Sequence, residues 1–428
     1  MVTTIIIIFI IGYLLIALEN FTKVNKAAIA LILCVICWIL FSLGGFTNNL
    51  GNVIERNLGE ASTTLFFLMG AMTIVEIVDQ YGGFNFVKNT LHSKSKKALL
   101  WKIGFMTFIL SAVLDNLTTS IVMIMILRKL VNDNRERIWY SSLVIIAANA
   151  GGAFSPIGDV TTIMLWNGHM ITATGVIREL LLPSIFAFII PTFFIQYQLK
   201  GKLQSSLTNK QSNNIVGNIS KNQRNLVFFI GVGGLCSVPI FHTITGLPAF
   251  VGVILVLGIL WVVTEIMYWH KGESDPMAKR VAKLLSRIDM TTILFFLGIL
   301  MAVSVLSEIG VLSNLGKWFD VHIANDFLVT GAIGILSSVV DNVPLVAGAM
   351  KMYVINPSGG PLGVDGIFWQ LLAYCAGTGG SMLIIGSAAG VVVMGLEKIS
   401  FGWYMKHITP LAVMGYLCGI VIYWLMNI

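Results

Sequence analysis

The sequence predicts an all-α, polytopic membrane protein of two inverted repeats, each with five spans, one of them broken, plus a re-entrant helical hairpin, about ten spans in total. Three observations carry that expectation. The chain has 428 residues, 56% hydrophobic and 11% charged, and a water-soluble chain of this length needs far more polar surface. An Asp-Asn pair between apolar residues occurs twice, at Asp115-Asn116 and Asp341-Asn342, and such a pair is costly inside a bilayer unless it has a function. Two long apolar stretches are interrupted by glycine clusters, the mark of helices that break within a membrane.

Nearly uncharged segments recur at 2–18, 27–43, 63–78, 180–197, 226–241, 249–269, 291–306 and 403–428. Each is about long enough to cross the ~30 Å hydrocarbon layer of a lipid bilayer as a helix. The first has no basic residue before it and no small-residue cleavage site after it, so it reads as a span and not as a removable signal. Cys34, Cys37, Cys236, Cys375 and Cys418 are scattered through apolar segments. They read as packing residues, and neither a disulfide framework nor a metal site follows from them.

The net charge of +7 does not point to nucleic acid, because the basic residues lie in short loops between spans. Counted loop by loop with the first span running inward, 23 of the 27 Lys and Arg fall inside. Only Arg56, Arg178, Lys317 and Lys351 fall outside. The positive-inside rule then puts both termini outside.

Length defines the hairpins. Eleven residues separate Asn116 from Arg128 and eight separate Asn342 from Lys351, roughly 12 to 17 Å of helix against a ~30 Å core. Hairpins at about 98–131 and 326–353 are therefore expected to stop near the midplane with the Asp-Asn pairs at their tips. The halves also echo each other: Leu65-Phe66-Phe67-Leu68 with Leu294-Phe295-Phe296-Leu297, and Ala148-Asn149-Ala150-Gly151-Gly152 with Ala376-Gly377-Thr378-Gly379-Gly380. Repeats at 1–199 and 225–428, joined by a cytoplasmic linker at 200–224, each hold an odd number of crossings. The second then enters the membrane upside down, the plan of secondary transporters with a midplane site.

The segment at about 138–170 would be some 50 Å long as one helix, too long for a single span. Its centre carries Asn149, Gly151, Gly152, Pro156, Gly158, Asp159, Thr161 and Thr162, so it is expected to break there and expose helix ends. The partner at about 366–396 repeats the glycines but has Ser387 where the first has Asp159. Shape is expected to be symmetric and charge not.

Tips and breaks together supply Asp115, Asp159 and Asp341; Asn116, Asn149 and Asn342; and the hydroxyls of Thr118, Thr119, Thr161, Thr162, Ser337, Thr378 and Ser381. No Lys, Arg or His is expected at that depth. Such a set suits a small hard cation such as Na+, held at these same residues. A carboxylate in a low-dielectric cavity can hold either a proton or a metal ion, and that competition suffices for exchange. Replacing any of the three aspartates with asparagine is expected to abolish it. Glu76 is a secondary candidate, reading more simply as a helix-end acid. The six histidines fall near span ends or in loops, and tryptophans at Trp139, Trp166, Trp318 and Trp403 fit interfacial anchors.

These motifs resemble the NhaD-type sodium/proton antiporters of the ion transporter superfamily, nearly end to end. The most specific stretches are Leu114-Asp115-Asn116-Leu117-Thr118-Thr119, the run from Asn149 to Thr162, and Ser337-Ser338-Val339-Val340-Asp341-Asn342-Val343-Pro344. The resemblance implies exchange of cytoplasmic Na+ or Li+ for external H+ in the bacterial inner membrane, with no cofactor. It also implies a homodimer with elevator-like movement. It carries roles over to Asp115, Asn116, Asn149, Asp159, Thr161, Thr162, Ser337, Asn342 and Ser381, while Thr378 stands where that pattern has a serine. Dicarboxylate symporters resemble the same plan with Ser-Asn-Thr at the tips, and aspartate there favours a cation. An arsenite-type efflux permease is the nearest rival. An intramembrane aspartyl protease is remote, because Pro156-Ile157-Gly158-Asp159 lacks the first glycine of Gly-x-Gly-Asp.

Overall fold

A computed structural model describes every residue except 18, 85–90, 92, 94, 200, 202–219, 270–283, 286–287, 324 and 428. The expected linker at 200–224 therefore lies outside the described residues apart from Gly201 and the stretch from Ser220 onward. Among the described residues all regular structure is helical, and seven helices are long and apolar enough to cross a membrane. The chain is a multi-pass membrane protein.

In chain order the helices are α1 (Val2–Ala17), α2 (Glu19–Thr22), α3 (Lys26–Leu43), α4 (Leu50–Gln80), α5 (Lys96–Ser111), α6 (Asn116–Leu130), α7 (Asn134–Ala153), α8 (Val160–Asn167), α9 (Ala173–Ile195) and α10 (Lys221–Thr245). They continue as α11 (Ala249–Trp269), α12 (Met290–Glu308), α13 (Val311–His322), α14 (Asp326–Ser337), α15 (Asn342–Met352), α16 (Ile367–Gly379), α17 (Ala388–Glu397), α18 (Phe401–His407) and α19 (Thr409–Met426).

Side-chain caps decide most of the starts. Asn25, Ser95, Asp115, Asp133, Asp159, Thr172, Ser220, Asp289, Asn325, Asp341, Ser387 and Ser400 each accept a bond from a first-turn N–H. Each satisfies a donor that the helix itself cannot, which matters most where no water is at hand. The polar residues that looked costly on an apolar chain are thus in large part the ones that begin its helices.

Four helix–helix junctions bear on the site. The first hairpin is α5 and α6, turning at residues 112–115, and the second is α14 and α15, turning at 338–341. The breaks lie between α7 and α8 and between α16 and α17. Elsewhere the structure differs. The apolar run at 403–428 is not one helix but α18 and α19, because Pro410 cannot donate to the turn before it and sits in the first turn of a new helix. α4 extends well beyond 63–78, to 31 residues. α13, an amphipathic helix following Gly310 at φ +76°, was not foreseen.

The helices sort into two packed groups. α1, α3, α4, α10, α11 and α12 pack in sequence on one another: α1 on α3, α3 on α12, α12 on α4, and α4 on the α10–α11 pair. In the other, α5 and α6 pack on α7, α14 on α16, α17 on α6 and α7, and α9 on α19. The groups meet chiefly where α15 packs on α12 and α8 on α4.

Candidate ion-binding site

The first break and both hairpin tips converge on one carboxylate. Asp159 caps α8, accepting from Thr161 N at 2.9 Å and from the Thr161 hydroxyl at 2.8 Å. Asn116, first residue of α6, donates its Nδ2 to Asp159 Oδ2 at 2.7 Å. Asn342, first residue of α15, donates Nδ2 to both carboxylate oxygens, at 3.3 and 3.4 Å. Asp159 is only 1% exposed, so its charge is met by protein dipoles and by the N-terminus of α8.

Asn149 extends the network to the second break. Its Oδ1 accepts from Asn116 Nδ2 at 3.1 Å, and its own Nδ2 donates to Ser387 Oγ at 3.1 Å. Ser387 also accepts from Gly390 N at 3.1 Å and so caps α17 as Asp159 caps α8. Five of the expected residues are thereby joined: Asn116, Asn149, Asp159, Thr161 and Asn342. Carboxylate and amide oxygens in one buried cluster can supply the hard oxygen donors a small cation requires.

The remaining candidates lie around this cluster in other roles. Asp115 caps α6, accepting from Thr118 N at 2.7 Å and from the Thr118 hydroxyl at 2.6 Å. It borders a cavity of about 10 Å³, on the scale of one water, otherwise walled by apolar side chains such as Phe67 and Ile163. Thr119 is fully buried and its hydroxyl has no hydrogen-bond partner. Thr162 donates to the Asp159 carbonyl at 2.9 Å. Ser337, Thr378 and Ser381 donate to the carbonyls of Ala376 (2.8 Å), Tyr374 (2.6 Å) and Thr378 (2.6 Å). Glu76 accepts from Gln80, one turn further along α4, at 3.1 Å.

Asp341 departs from expectation. It caps α15 and also receives the ammonium of Lys26, 2.8 Å from Oδ2. The site depth is therefore not free of basic residues. Lys26 looked like a loop residue, but it is the first residue of α3, and its long stem carries the charge to the hairpin tip.

Two features had weak or no signal in the sequence. Ser111 donates to the Ala148 carbonyl at 2.6 Å, the counterpart of Ser337 on Ala376. Each serine stands four residues before its Asp-Asn pair, an echo that could have been used. A cavity of about 400 Å³ opens where the two helix groups meet, with Asn57, Thr64, Asn167, Ser304 and Lys351 among its lining. Lys351 of α15 pairs with Glu60 of α4 at 2.5 Å beside it.

Glycine makes the close approach possible. A Cβ on Gly158 would lie 2.5 Å from the Ser111 carbonyl oxygen, and one on Gly386 would lie 2.4 Å from that of Ser338. Each break is thus pressed backbone to backbone against a hairpin tip, which no larger residue allows.

Buried polar breaks and capped tips in a helical membrane chain are arranged as the comparisons with known transporters would have them. The citrate transporter family (CitMHS) matches across residues 13–369. Sodium/proton antiporter 1 of Arabidopsis thaliana is 43% identical, over 97% of this chain and 71% of its own length. Sodium/proton antiporter 2 of the same plant is 41% identical over 97% and 98%. The Na(+)/H(+) antiporter NhaD of Vibrio cholerae is 28% identical over 98% and 91%. Among solved structures, the YdaH transporter of Alcanivorax borkumensis shares the fold with a TM-score of 0.61 at 12% identity, over 94% of this chain and 98% of that one. The chain belongs to the NhaD-type sodium/proton antiporter family, within the superfamily that includes the citrate transporters.

Proposed function

We propose that the protein exchanges cytoplasmic Na+ or Li+ for external H+, with the two cargoes competing for carboxylates at the junction of the tips and breaks. One observation carries the reading: Asp159 is buried and takes amide donors from both hairpins at once. Asp115, one residue from Asn116, is the second exchangeable carboxylate. Asn116, Asn149, Asn342, Thr118, Thr119, Thr161 and Thr162 stand close enough in sequence and bonding to complete a cation's shell after modest rotation. Ser337, Thr378 and Ser381 belong to the same set from the second half, and Asp341, paired with Lys26, stands beside it.

The architecture we assign is two inverted repeats, 1–199 and 225–428, linked cytoplasmically through 200–224, with ten spans and both termini outside a bacterial plasma membrane. Matching caps at Asp159 and Ser387, and matching serine-to-carbonyl bonds at Ser111 and Ser337, support a duplicated unit. The α5–α9 and α14–α19 group would move past the other in an elevator-like cycle, with a homodimer steadying the stationary group. On this orientation the 400 Å³ cavity, lined in part by Glu60 and Lys351, is the external access route.

The direct test is proton movement in everted membrane vesicles from cells lacking their own antiporters. Addition of Na+ or Li+ should collapse an imposed pH gradient, and Asp115→Asn and Asp159→Asn should each remove the response. Normal exchange in both variants, or arsenite efflux without any alkali cation response, would sink the reading.

A further inference from the structure

Lys26 brings a positive charge into a site otherwise built of acids and amides. Its ammonium is held by Asp341 at 2.8 Å and lies 4.3 Å from the centroid of the Phe295 ring. Neither partner is well solvated: the side chains of Lys26 and Asp341 are 24% and 13% exposed. Lys26 and Phe295 come from α3 and α12, which pack together in one helix group. Asp341 comes from the second hairpin tip, in the other group, and its neighbour Asn342 bonds Asp159. The first tip is built differently, for Asp115 is bonded by the Thr118 N–H and hydroxyl on its own helix.

We propose that Lys26 is a tethered counter-cation of the transport site, occupying Asp341 in place of a cargo ion and joining the second hairpin tip to the α3–α12 group. The inference rests on the sodium/proton reading and refines it. Lys26 never touches the cargo and acts through Asp341, so it is a positioning residue. An ammonium and a sodium ion carry the same charge and seek the same oxygens. While Lys26 holds Asp341, the carboxylates left for Na+ and H+ are Asp159 and Asp115. The π face of Phe295 stabilises the ammonium without offering a carboxylate in competition.

The sign of the consequence is fixed by charge. Removing the ammonium leaves Asp341 uncompensated beside the site, so Na+ binds more tightly. Removing the carboxylate leaves the ammonium uncompensated, so Na+ binds more weakly. Each change is expected to be worth about tenfold in half-saturating Na+, the effect of one unit charge at roughly 10 Å and an effective dielectric of about 20.

The experiment uses the full chain, purified in detergent for Na+-dependent thermal stabilisation and reconstituted in proteoliposomes for exchange. Lys26→Gln is expected to lower half-saturating Na+ about tenfold and to slow maximal exchange, because a cation held harder leaves more slowly. Asp341→Asn, which the sequence alone led us to expect would abolish exchange, is instead expected to raise half-saturating Na+ by a similar factor and weaken exchange without abolishing it, because Asp341 is paired with Lys26. Lys26→Arg keeps the charge and should not tighten Na+, and Lys26→Gln combined with Asp341→Asn should cancel the tightening. A merely structural contact would lower stability in all of these variants and move Na+ affinity in none of them.

Unchanged or weaker Na+ affinity in a folded Lys26→Gln protein overturns the inference. If that variant does not fold, Asp341→Asn decides, and unchanged or tighter Na+ binding there overturns it equally. A wild type without any alkali cation response removes the proposed function and this inference together, whereas a responsive wild type with an indifferent Lys26→Gln removes the inference alone.

Discussion

Between α7 and α8 the chain leaves one helix and starts another with Asp159 as the cap; between α16 and α17 it does the same with Ser387. Both breaks press a glycine against the backbone of a hairpin tip, and both are steadied by a serine donating to a helix carbonyl four residues before an Asp-Asn pair. Backbone devices are thus duplicated where charge is not. Steric and hydrogen-bonding demands on a broken helix are the same in either half, so the same residues meet them. A buried carboxylate is costly wherever it stands, and Asn116 and Asn342, from the two tips, both bond the one at Asp159.

The largest expected effect breaks that asymmetry at its source. Asp159→Asn keeps the size and the cap but removes the charge. At ~4 Å and an effective dielectric of about 20, a full charge is worth roughly 4 kcal/mol, about three powers of ten in cation affinity. Sodium-induced proton movement in vesicles should fall below detection while expression and thermal stability stay close to wild type. If exchange persists, the charged break is not the centre and the two breaks are equivalent after all.

The next concerns how the neutral break is tied to the charged half. Glu397 ends α17 with only 2% of its surface exposed, receiving Arg128 of α6 at 2.7 Å and Arg137 of α7 at 2.5 Å. Arg128 also donates to the Leu396 carbonyl. Glu397→Ala removes the shared partner of both guanidinium groups; Arg137 is largely buried, but Arg128 is 43% exposed, so the loss falls below that of a fully buried pair, on the order of 2 kcal/mol. Thermal unfolding in detergent should show that loss, while any exchange left in the folded fraction keeps its half-saturating Na+ near wild type. A shift in Na+ affinity would make Glu397 part of the ion site rather than a clamp.

How far these features could be read in the sequence depended on whether their cause was local. A glycine-rich stretch followed by a capping residue is a local signal, so the interruptions at 154–159 and 380–387 and the helix starts at the two Asp-Asn pairs fall within the stretches the pattern marked. The clustering of Asn116, Asn149 and Asp159 followed from placing those elements together. Lys26 and Asp341 are 315 residues apart, and nothing near Lys26 marks it as more than a loop cation. Glu397 carries no local mark in the sequence, since its arginines arrive from elements more than 250 residues away. Ser111 was the exception, a local signal hidden in the echo between Ser111-Ala112-Val113-Leu114 and Ser337-Ser338-Val339-Val340.

Paired glycine substitutions sharpen the shared part of the comparison. Gly158→Ala and Gly386→Ala each put a methyl within 2.5 Å of a hairpin-tip carbonyl oxygen. Neither contact can be relieved by a side-chain rotation, because the obstructing atoms are backbone. Overpacking of this kind costs about 1–3 kcal/mol, and it should be similar for the two. Thermal stability measured side by side checks it. A large loss for one with none for the other would mean that only one break is seated tightly on its tip.

The smallest effect is expected at Ser387 itself. Ser387→Ala removes the cap on Gly390 N and the acceptor for Asn149 Nδ2, both at 3.1 Å. A lost cap of this type costs about 1 kcal/mol. Asn149 keeps its bond from Asn116 at 3.1 Å, so the amide that reaches toward Asp159 stays oriented. Stability should drop by that modest amount, and half-saturating Na+ in reconstituted exchange should move by less than about threefold, the equivalent of some 0.6 kcal/mol. The residue standing where the other half has its acid then acts as a support for the α17 start. Should Ser387→Ala instead silence exchange as Asp159→Asn does, the neutral break would be supplying a ligand, and charge would no longer be what separates the two halves.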